Sequence, residues 1–200
     1  MQPKNKNQET AFYDKAKLVP FGEYLPFTNL QSYFKISERS NLFGWGFKRG
    51  SGSQLIRLSN GLNFVPLICY EAIFSDFLKP SAKNADFILQ ITNDAWFGRS
   101  IGPQQHLAQL RIRAIEYGLP VIRVANTGIS AIIDANGIVL KNIPVNMSGY
   151  LDAFIPSRKQ STIYGEYGNL MFLSLILMSL LFAFLYKQII SRVRLIIETN

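Results

Sequence analysis

The chain holds one cysteine, Cys69, and one histidine, His106, among 200 residues. A lone cysteine excludes an internal disulfide, and one Cys with one His is too few for a structural zinc site of four protein ligands. Neither a metal nor any other cofactor is expected. Charge is scarce as well. Asp, Glu, Lys and Arg make up 17% of the residues, where a soluble domain ordinarily has roughly 25%. The first ten residues are polar and lack an apolar core, so nothing there reads as a signal peptide. Internal repeats and low-complexity tracts are missing too. Acidic residues are outnumbered, 13 against 21 Lys and Arg, for a net charge of +8. The basic residues are scattered, with small groups at Lys4–Lys6, Arg158–Lys159 and Arg192–Arg194. No zinc-ligand spacing and no RNA-binding aromatic signature accompanies them, so nucleic acid is not an expected partner. Contact with anionic lipid is the simpler account of the sign.

What is present in excess is apolar, 48% of the chain, and unevenly spread. Twenty uncharged residues separate Glu166 from Lys187. At about 1.5 Å rise per residue they reach about 30 Å, the thickness of a bilayer's hydrocarbon core. One-sided amphipathicity is absent, which disfavours a buried core helix. The expectation is a transmembrane helix over 167–186 and a basic tail over 187–200. Lys187, Arg192 and Arg194 follow the span, against Arg158 and Lys159 before it. The positive-inside rule then puts the C-terminus in the cytoplasm and the globular part outside.

Residues 1–11 read as a disordered leader and 12–165 as the globular part. Two prolines and a glycine between Leu18 and Pro26 argue for a rigid loop rather than helix or central strand. Residues 27–61 carry no assignable pattern. Buried strands are expected over Asn63–Ile68, with Pro66 weakening that reading, and over Ala85–Ile91. Gly102-Pro103 opens a helix to about Tyr117, with Leu107, Leu110, Ala114 and Tyr117 on its inner face and Gly118 just past its end. Arg113 and Glu116 fall off that face. Pro120–Val124 is a further strand. Asn136-Gly137 turns a hairpin between Ile129–Ile133 and Ile138–Leu140, and Tyr150–Ile155 reads as a last short strand. This order gives an α/β or α+β layered domain.

Cys69 lies at the end of a strand, where layered sheets expose functional groups, and Glu71 follows it by two. Taken alone, a cysteine after an apolar strand is ordinarily an inert core residue. Lys15 and Glu23, alone, are ordinarily solvated charges, although they flank the rigid loop. His106 is not read as a partner of Cys69, because it opens a helix after Gly-Pro. Trp96 and Phe97 read as packing residues, and Arg113, Glu116 and Arg123 as a structural ion-pair network.

Together these segments resemble the apolipoprotein N-acyltransferases, membrane enzymes of the nitrilase superfamily. Tyr13 to Pro26 is similar to that family's catalytic-lysine segment, and Leu67-Ile68-Cys69-Tyr70-Glu71 to its nucleophile segment. Ile91 to Gly98 with Gly102 to His106, and Arg113 to Glu116 followed by Arg123 to Gly128, match the next blocks in family order. The resemblance implies the C-terminal part of a nitrilase-like α-β-β-α sandwich followed by one transmembrane helix. It implies Cys69 as nucleophile, Lys15 as catalytic lysine, Glu23 and Glu71 as supporting acids, and the Tyr70 N–H as oxyanion donor. A thiolate is the reactive form of cysteine, and a nearby ammonium favours it. The implied reaction moves a fatty acyl chain from a phospholipid, through a Cys thioester, to the N-terminal amine of a diacylglyceryl-cysteine apolipoprotein. The implied place is the bacterial inner membrane, with the catalytic part periplasmic. One departure stands out: the superfamily's general-base glutamate lies several dozen residues before the lysine, and here only Glu9 precedes Lys15. The expectation is therefore an incomplete form, about the last two-fifths of the enzyme, with the missing half supplied elsewhere or lost. A membrane-tethered amidase or nitrilase-type hydrolase and a non-catalytic remnant remain as alternatives.

Overall fold

The computed structural model describes residues 11–24 and 47–198, with side chains described as far as 190. Residues 1–10 of the expected leader, Leu25 and Pro26 of the loop, the stretch 27–46 and residues 199–200 of the expected tail lie outside the described residues.

Among the described residues six strands form one mixed sheet in sequence order: β1 Ile56–Arg57, β2 Asn63–Ile68, β3 Phe87–Thr92, β4 Val121–Ala125, β5 Ser130–Ile133 and β6 Val139–Ile143. The pairs β2–β3 and β3–β4 are parallel, and the remaining pairs are antiparallel. Pro66 is accommodated because β1 pairs only with Asn63 and Phe64, so among the described residues no strand pairs with Pro66 on that side of β2. The long connection from β3 to β4 carries the helix Gly102–Tyr117 (here α2, after the one-turn α1 Lys79–Ala82). Its ends are those the sequence signals: Pro at the first turn, and Gly118 in the left-handed conformation at φ 62° as C-cap.

Alternation along the strands sends one set of side chains toward α2. Val65, Leu67, Ile88, Val121, Ala131 and Ile133 are fully buried against Leu110, Ala114 and Tyr117. Burying each larger aliphatic side chain contributes about 1.5–3 kcal/mol. On the opposite face Ile91 and Val124 are half exposed. The inner face of α2 is more polar than its apolar periodicity suggests, since His106 and Arg113 are buried on it beside Leu110 and Ala114.

Two sequence readings change. Tyr150–Ile155 is not a strand: the segment runs past β6 unpaired, with Tyr150 and Phe154 almost fully exposed, and Asp152 is held only through its carbonyl by the Lys141 ammonium. Alternating side chains describe how a strand packs once paired and do not by themselves make the pairing form, even beside the open edge of β6. The apolar helix starts three residues later than expected. A short helix α3, Ile163–Tyr167, capped by the Thr162 hydroxyl, stops at Gly168 with φ 57°, and α4 then runs from Leu170 to Glu198. Within α4 the stretch Leu170–Ile190, of mean hydropathy 2.1 and unburied, is long and apolar enough to cross a membrane.

Candidate active site

The C-terminal ends of the parallel strands β2, β3 and β4 deliver Cys69, Asn93-Asp94 and Asn126 to one edge of the sheet. Such strand ends are where layered sheets concentrate function. Asn126 Oδ1 accepts from the Asp94 N–H at 3.1 Å, and its amide donates to Asn93 Oδ1 at 2.6 Å, tying the ends of β3 and β4 together.

Cys69 is the first residue of a 3₁₀ turn, Cys69–Ile73, and has a φ of 53°. A left-handed conformation is uncommon for a non-glycine residue and is typical of functional turns. Its thiol is partly exposed and borders a cavity of about 190 Å³ with Val19, Gly22, Glu23, Tyr70, Trp96 and Phe97 among its walls. The lining is mostly apolar, so the space accepts hydrocarbon more readily than a hydrated group. Two larger clefts, of about 590 and 440 Å³, do not include Cys69.

Glu71 is fully buried, and its carboxylate gathers four donors. Oε1 accepts from the Ala16 and Lys17 N–H groups at 2.7 and 3.0 Å, and Oε2 from the Tyr13 hydroxyl at 2.8 Å and the Ile68 N–H at 2.7 Å. The residue two after the cysteine thus fastens the Lys15 segment onto the turn that carries the cysteine. Burial and the neighbouring Glu71 charge push the Tyr13 hydroxyl far above its ordinary value, so it stays a donor. Lys15 Nζ donates to Glu23 Oε1 at 2.5 Å, and Glu23 Oε2 accepts from the Val19 N–H at 2.9 Å. Glu23 therefore closes its loop and holds the ammonium at once. Over its described residues, 18–24, the loop expected from the sequence is closed in this way. Phe21, in that loop, also has positive φ, 63°, and an exposed ring.

A buried polar cluster lies beneath Cys69. Gln90 Nε2 donates to the Cys69 carbonyl at 2.9 Å, and His106 Nδ1 donates to Asp94 Oδ1 at 3.0 Å. Arg123 donates to Asp94 Oδ2 at 2.6 Å and, by Nη1, to Gln90 Oε1. Register places these groups together: Leu67, Gln90 and Arg123 are successive partners across β2, β3 and β4. Burial pushes the Asp94 carboxyl up, but the His106 hydrogen bond and the Arg123 charge outweigh it and hold it below the usual carboxylate range. Burial draws the Arg123 guanidinium below its ordinary value, against the opposing pull of Asp94 and of a charge on Cys69.

Several side chains sit differently from the sequence expectation. Trp96 is not packed but 79% exposed at the mouth of the cavity, while Phe97 lines the cavity and meets the His106 ring edge-on at 5.7 Å. Arg113, Glu116 and Arg123 do not form one network. Arg113 pairs with Glu116 on the helix, where only the Nη2–Oε1 contact at 3.1 Å is aligned as a hydrogen bond, and Arg123 pairs with Asp94. His106 does not bond the thiol, as expected, but its Nε2 lies 3.2 Å from the Cys69 carbonyl, a proximity that the sequence did not suggest. Among the described residues no group of three or more His, Cys, Asp or Glu side chains could hold a metal ion.

The carbon-nitrogen hydrolase family model matches residues 2–164. Among curated relatives, the apolipoprotein N-acyltransferase of Rhizobium rhizogenes is 47% identical over 150 residues, 75% of this chain and 28% of that one. That of Rhodopseudomonas palustris is 42% identical over 176 residues, 88% of this chain and 33% of its own length. The Rickettsia prowazekii protein of the same name is 40% identical over 189 residues, 94% of this chain and 36% of its own. The chain thus spans about a third of the length of these relatives. A solved amidase from Nesterenkonia sp. aligns at 20% identity with a TM-score of 0.43, over 51% of this chain and 41% of that one.

Proposed function

The chain belongs to the carbon-nitrogen hydrolase family, and we propose that it forms the nucleophile-bearing part of an apolipoprotein N-acyltransferase. The observation that carries this reading is the join made by Glu71, which binds the Lys15 segment to the turn holding Cys69 at the edge of an apolar cavity. The 40–47% identity to proteins of that name supports it.

Cys69 is the proposed nucleophile. Its thiolate attacks the ester carbonyl of a phospholipid, and the tetrahedral oxyanion is met by the Lys15 ammonium and the Tyr70 N–H. The C–O bond to the glycerol breaks and the thiol's proton passes to that alkoxide. A lysophospholipid leaves and the acyl chain stays as a thioester. The free amine of a diacylglyceryl-cysteine then attacks, the C–S bond breaks, and an amide and the restored thiol result. By the same resemblance, the proton carrier is the superfamily's general-base glutamate. Glu23 and Glu71 act as positioning residues, since each is already engaged by several donors. The stretch Leu170–Ile190 anchors the chain in the bacterial inner membrane with its globular part periplasmic, which suits two substrates that are both lipids.

The test grafts residues 12–190 in place of the matching segment of the full-length Rickettsia prowazekii relative. The graft is incubated with a phospholipid carrying an alkyne-tagged acyl chain and then with a diacylglyceryl-cysteine peptide. A hydroxylamine-labile label that moves to the peptide amine is the expected result, and it should vanish in Cys69→Ala. Label that persists in Cys69→Ala overturns the assignment of the nucleophile. Release of ammonia from small amides, without acylation, favours instead an amidase-type hydrolase.

A further inference from the structure

The left-handed backbone at Cys69 is disfavoured by roughly 5- to 30-fold for a residue bearing a Cβ, yet it stands at φ 53°. What holds it is found on its carbonyl rather than its thiol. Gln90, His106, Asp94 and Arg123 are all at least nine-tenths buried and close a ring of hydrogen bonds with one spoke. Arg123 can only donate, so its contact with Gln90 fixes Oε1 as the atom facing it and turns the Gln90 NH₂ the other way. One hydrogen of that NH₂ goes to the Cys69 carbonyl at 2.9 Å and the other to His106 Nε2 at 3.1 Å. Accepting at Nε2, His106 is the Nδ1–H tautomer, which donates to Asp94 Oδ1, and Asp94 Oδ2 accepts from Arg123; Nε2, without a hydrogen, stands 3.2 Å from the Cys69 carbonyl and makes no hydrogen bond to it. The spoke is aimed at one carbonyl.

That carbonyl shares a planar trans peptide with the Tyr70 N–H, so the two point in opposite directions. Pulling the Cys69 oxygen down into the buried ring necessarily turns the Tyr70 N–H up and outward, on the side where Cys69 and Tyr70 border the cavity. We propose that Gln90 and His106 are positioning residues that set the orientation of the Cys69–Tyr70 peptide, so that its N–H is preorganised to receive the oxyanion formed at Cys69. Asp94 and Arg123 lock these two side chains in the required tautomer and amide orientation. The inference rests on Cys69 being the nucleophile of an acyl transfer, as proposed above.

The test needs variants that spare the fold and a reaction of Cys69 that makes no oxyanion. Gln90→Glu keeps an acceptor for Arg123 and removes the spoke; Gln90→Met removes both. In the Rickettsia graft, acylation of Cys69 by phospholipid should fall about 10²-fold in kcat, as for loss of one oxyanion donor, with KM within about twofold. Alkylation of the same thiol by iodoacetamide, an attack on a saturated carbon, should change by less than about threefold at its high-pH plateau, because it uses no oxyanion donor. Unchanged acylation overturns the proposal and leaves the acyltransferase reading standing. Equal losses in both reactions overturn it too, in favour of a general disturbance of the site. Should the unmodified graft form no thioester, the acyltransferase reading fails, and the backbone claim is decided by stability alone. In the chain in detergent, Cys69→Gly should be more stable than Cys69→Ala by roughly 5-fold or more in its unfolding constant, the relief of a left-handed Cβ. That advantage should disappear in Gln90→Met, where residue 69 is free to relax. An undiminished advantage shows that the ring does not hold the conformation.

Discussion

Glu71 Oε1 accepts from the Ala16 N–H at 2.7 Å across 55 residues of sequence. This bond fixes Lys15 relative to Cys69, because Ala16 follows the lysine directly and Glu71 sits in the same 3₁₀ turn as the cysteine. Glu71→Gln keeps the volume but puts an NH₂ where a carboxylate oxygen now meets donors. At least one of the buried N–H groups then faces another donor. The expected cost is about 1.5–3 kcal/mol, the worth of a hydrogen bond to a charged group. Chemical denaturation should read that loss, and proteolysis should cut sooner within residues 12–24. Wild-type stability and wild-type cleavage in Glu71→Gln would show that the carboxylate does not hold the segment.

Gly128 is small because Asp94 needs the space. A Cβ built there would lie 2.0 Å from Asp94 Oδ2. Gly128→Ala should push the carboxylate off Arg123 and destabilise by about 3 kcal/mol or more, as expected for a broken buried ion pair. Gly149→Ala is the control. Its Cβ would meet nothing nearer than 3.6 Å, and its φ is not positive, so a change within about 0.5 kcal/mol is expected.

Acid should unfold the chain partly through Asp94. Its folded value is depressed, so the stabilisation it gives is fully present above its unfolded value of about 4 and is lost as pH falls through the folded value. Glu116 works in the opposite sense. Burial raises its value, against Arg113, so its contribution is present at low pH and lost as pH rises through the folded value. Asp94→Asn should cost about 3–5 kcal/mol at pH 6, where Arg123 is left buried without a counter-charge. The gap from wild type should narrow below about pH 4. Denaturation midpoints from pH 6 to pH 3 measure it, and a gap that stays constant removes Asp94 from the acid limb.

The stretch Leu170–Ile190 is expected to stay with membranes on carbonate extraction. Leu177→Arg, near its centre, should shift the chain toward the soluble fraction, since an arginine at mid-helix opposes insertion by about 2.5–3.5 kcal/mol. Release of the wild-type chain by carbonate would exclude the span.

Residues 1–200 expressed by themselves should turn over little or no phospholipid. Among the described residues, Glu23 is bound to Lys15 and the Val19 N–H, and Glu71 to four donors, so neither is free to take the thiol proton. Thioester formation by the chain alone, measured with the alkyne-tagged lipid, would mean that one of these carboxylates leaves its partners during the reaction or that one outside the described residues, such as Glu9, takes the proton.

Much of the fold is written locally. Gly102-Pro103 and Gly118 bound the helix to the residue, and Asn136-Gly137 turns the hairpin, because capping and turn conformations depend on the backbone freedom of single residues. The candidate residues Cys69, Lys15, Glu23 and Glu71 were legible as blocks of a family pattern, and the apolar stretch 170–190 as length and composition. Tyr150–Ile155 misled because alternation says nothing about whether pairing with a neighbouring edge forms, and Trp96 because a large apolar side chain does not declare whether it packs or stands at a mouth. The ring beneath Cys69 was not legible at all. Gln90, His106, Asp94 and Arg123 come from β3, its following turn, the helix and β4, and meet only through strand register. The sequence offers an ion pair for Arg123 but not its partner Asp94, and His106 only as a partner for the thiol. Sequence determined which residues could do chemistry, since that is a property of side chains. Tertiary structure decided that the Glu71 carboxylate gathers the Lys15 segment and that the Cys69 carbonyl meets Gln90, since hydrogen bonds between residues 21 to 58 positions apart exist only once the sheet has formed.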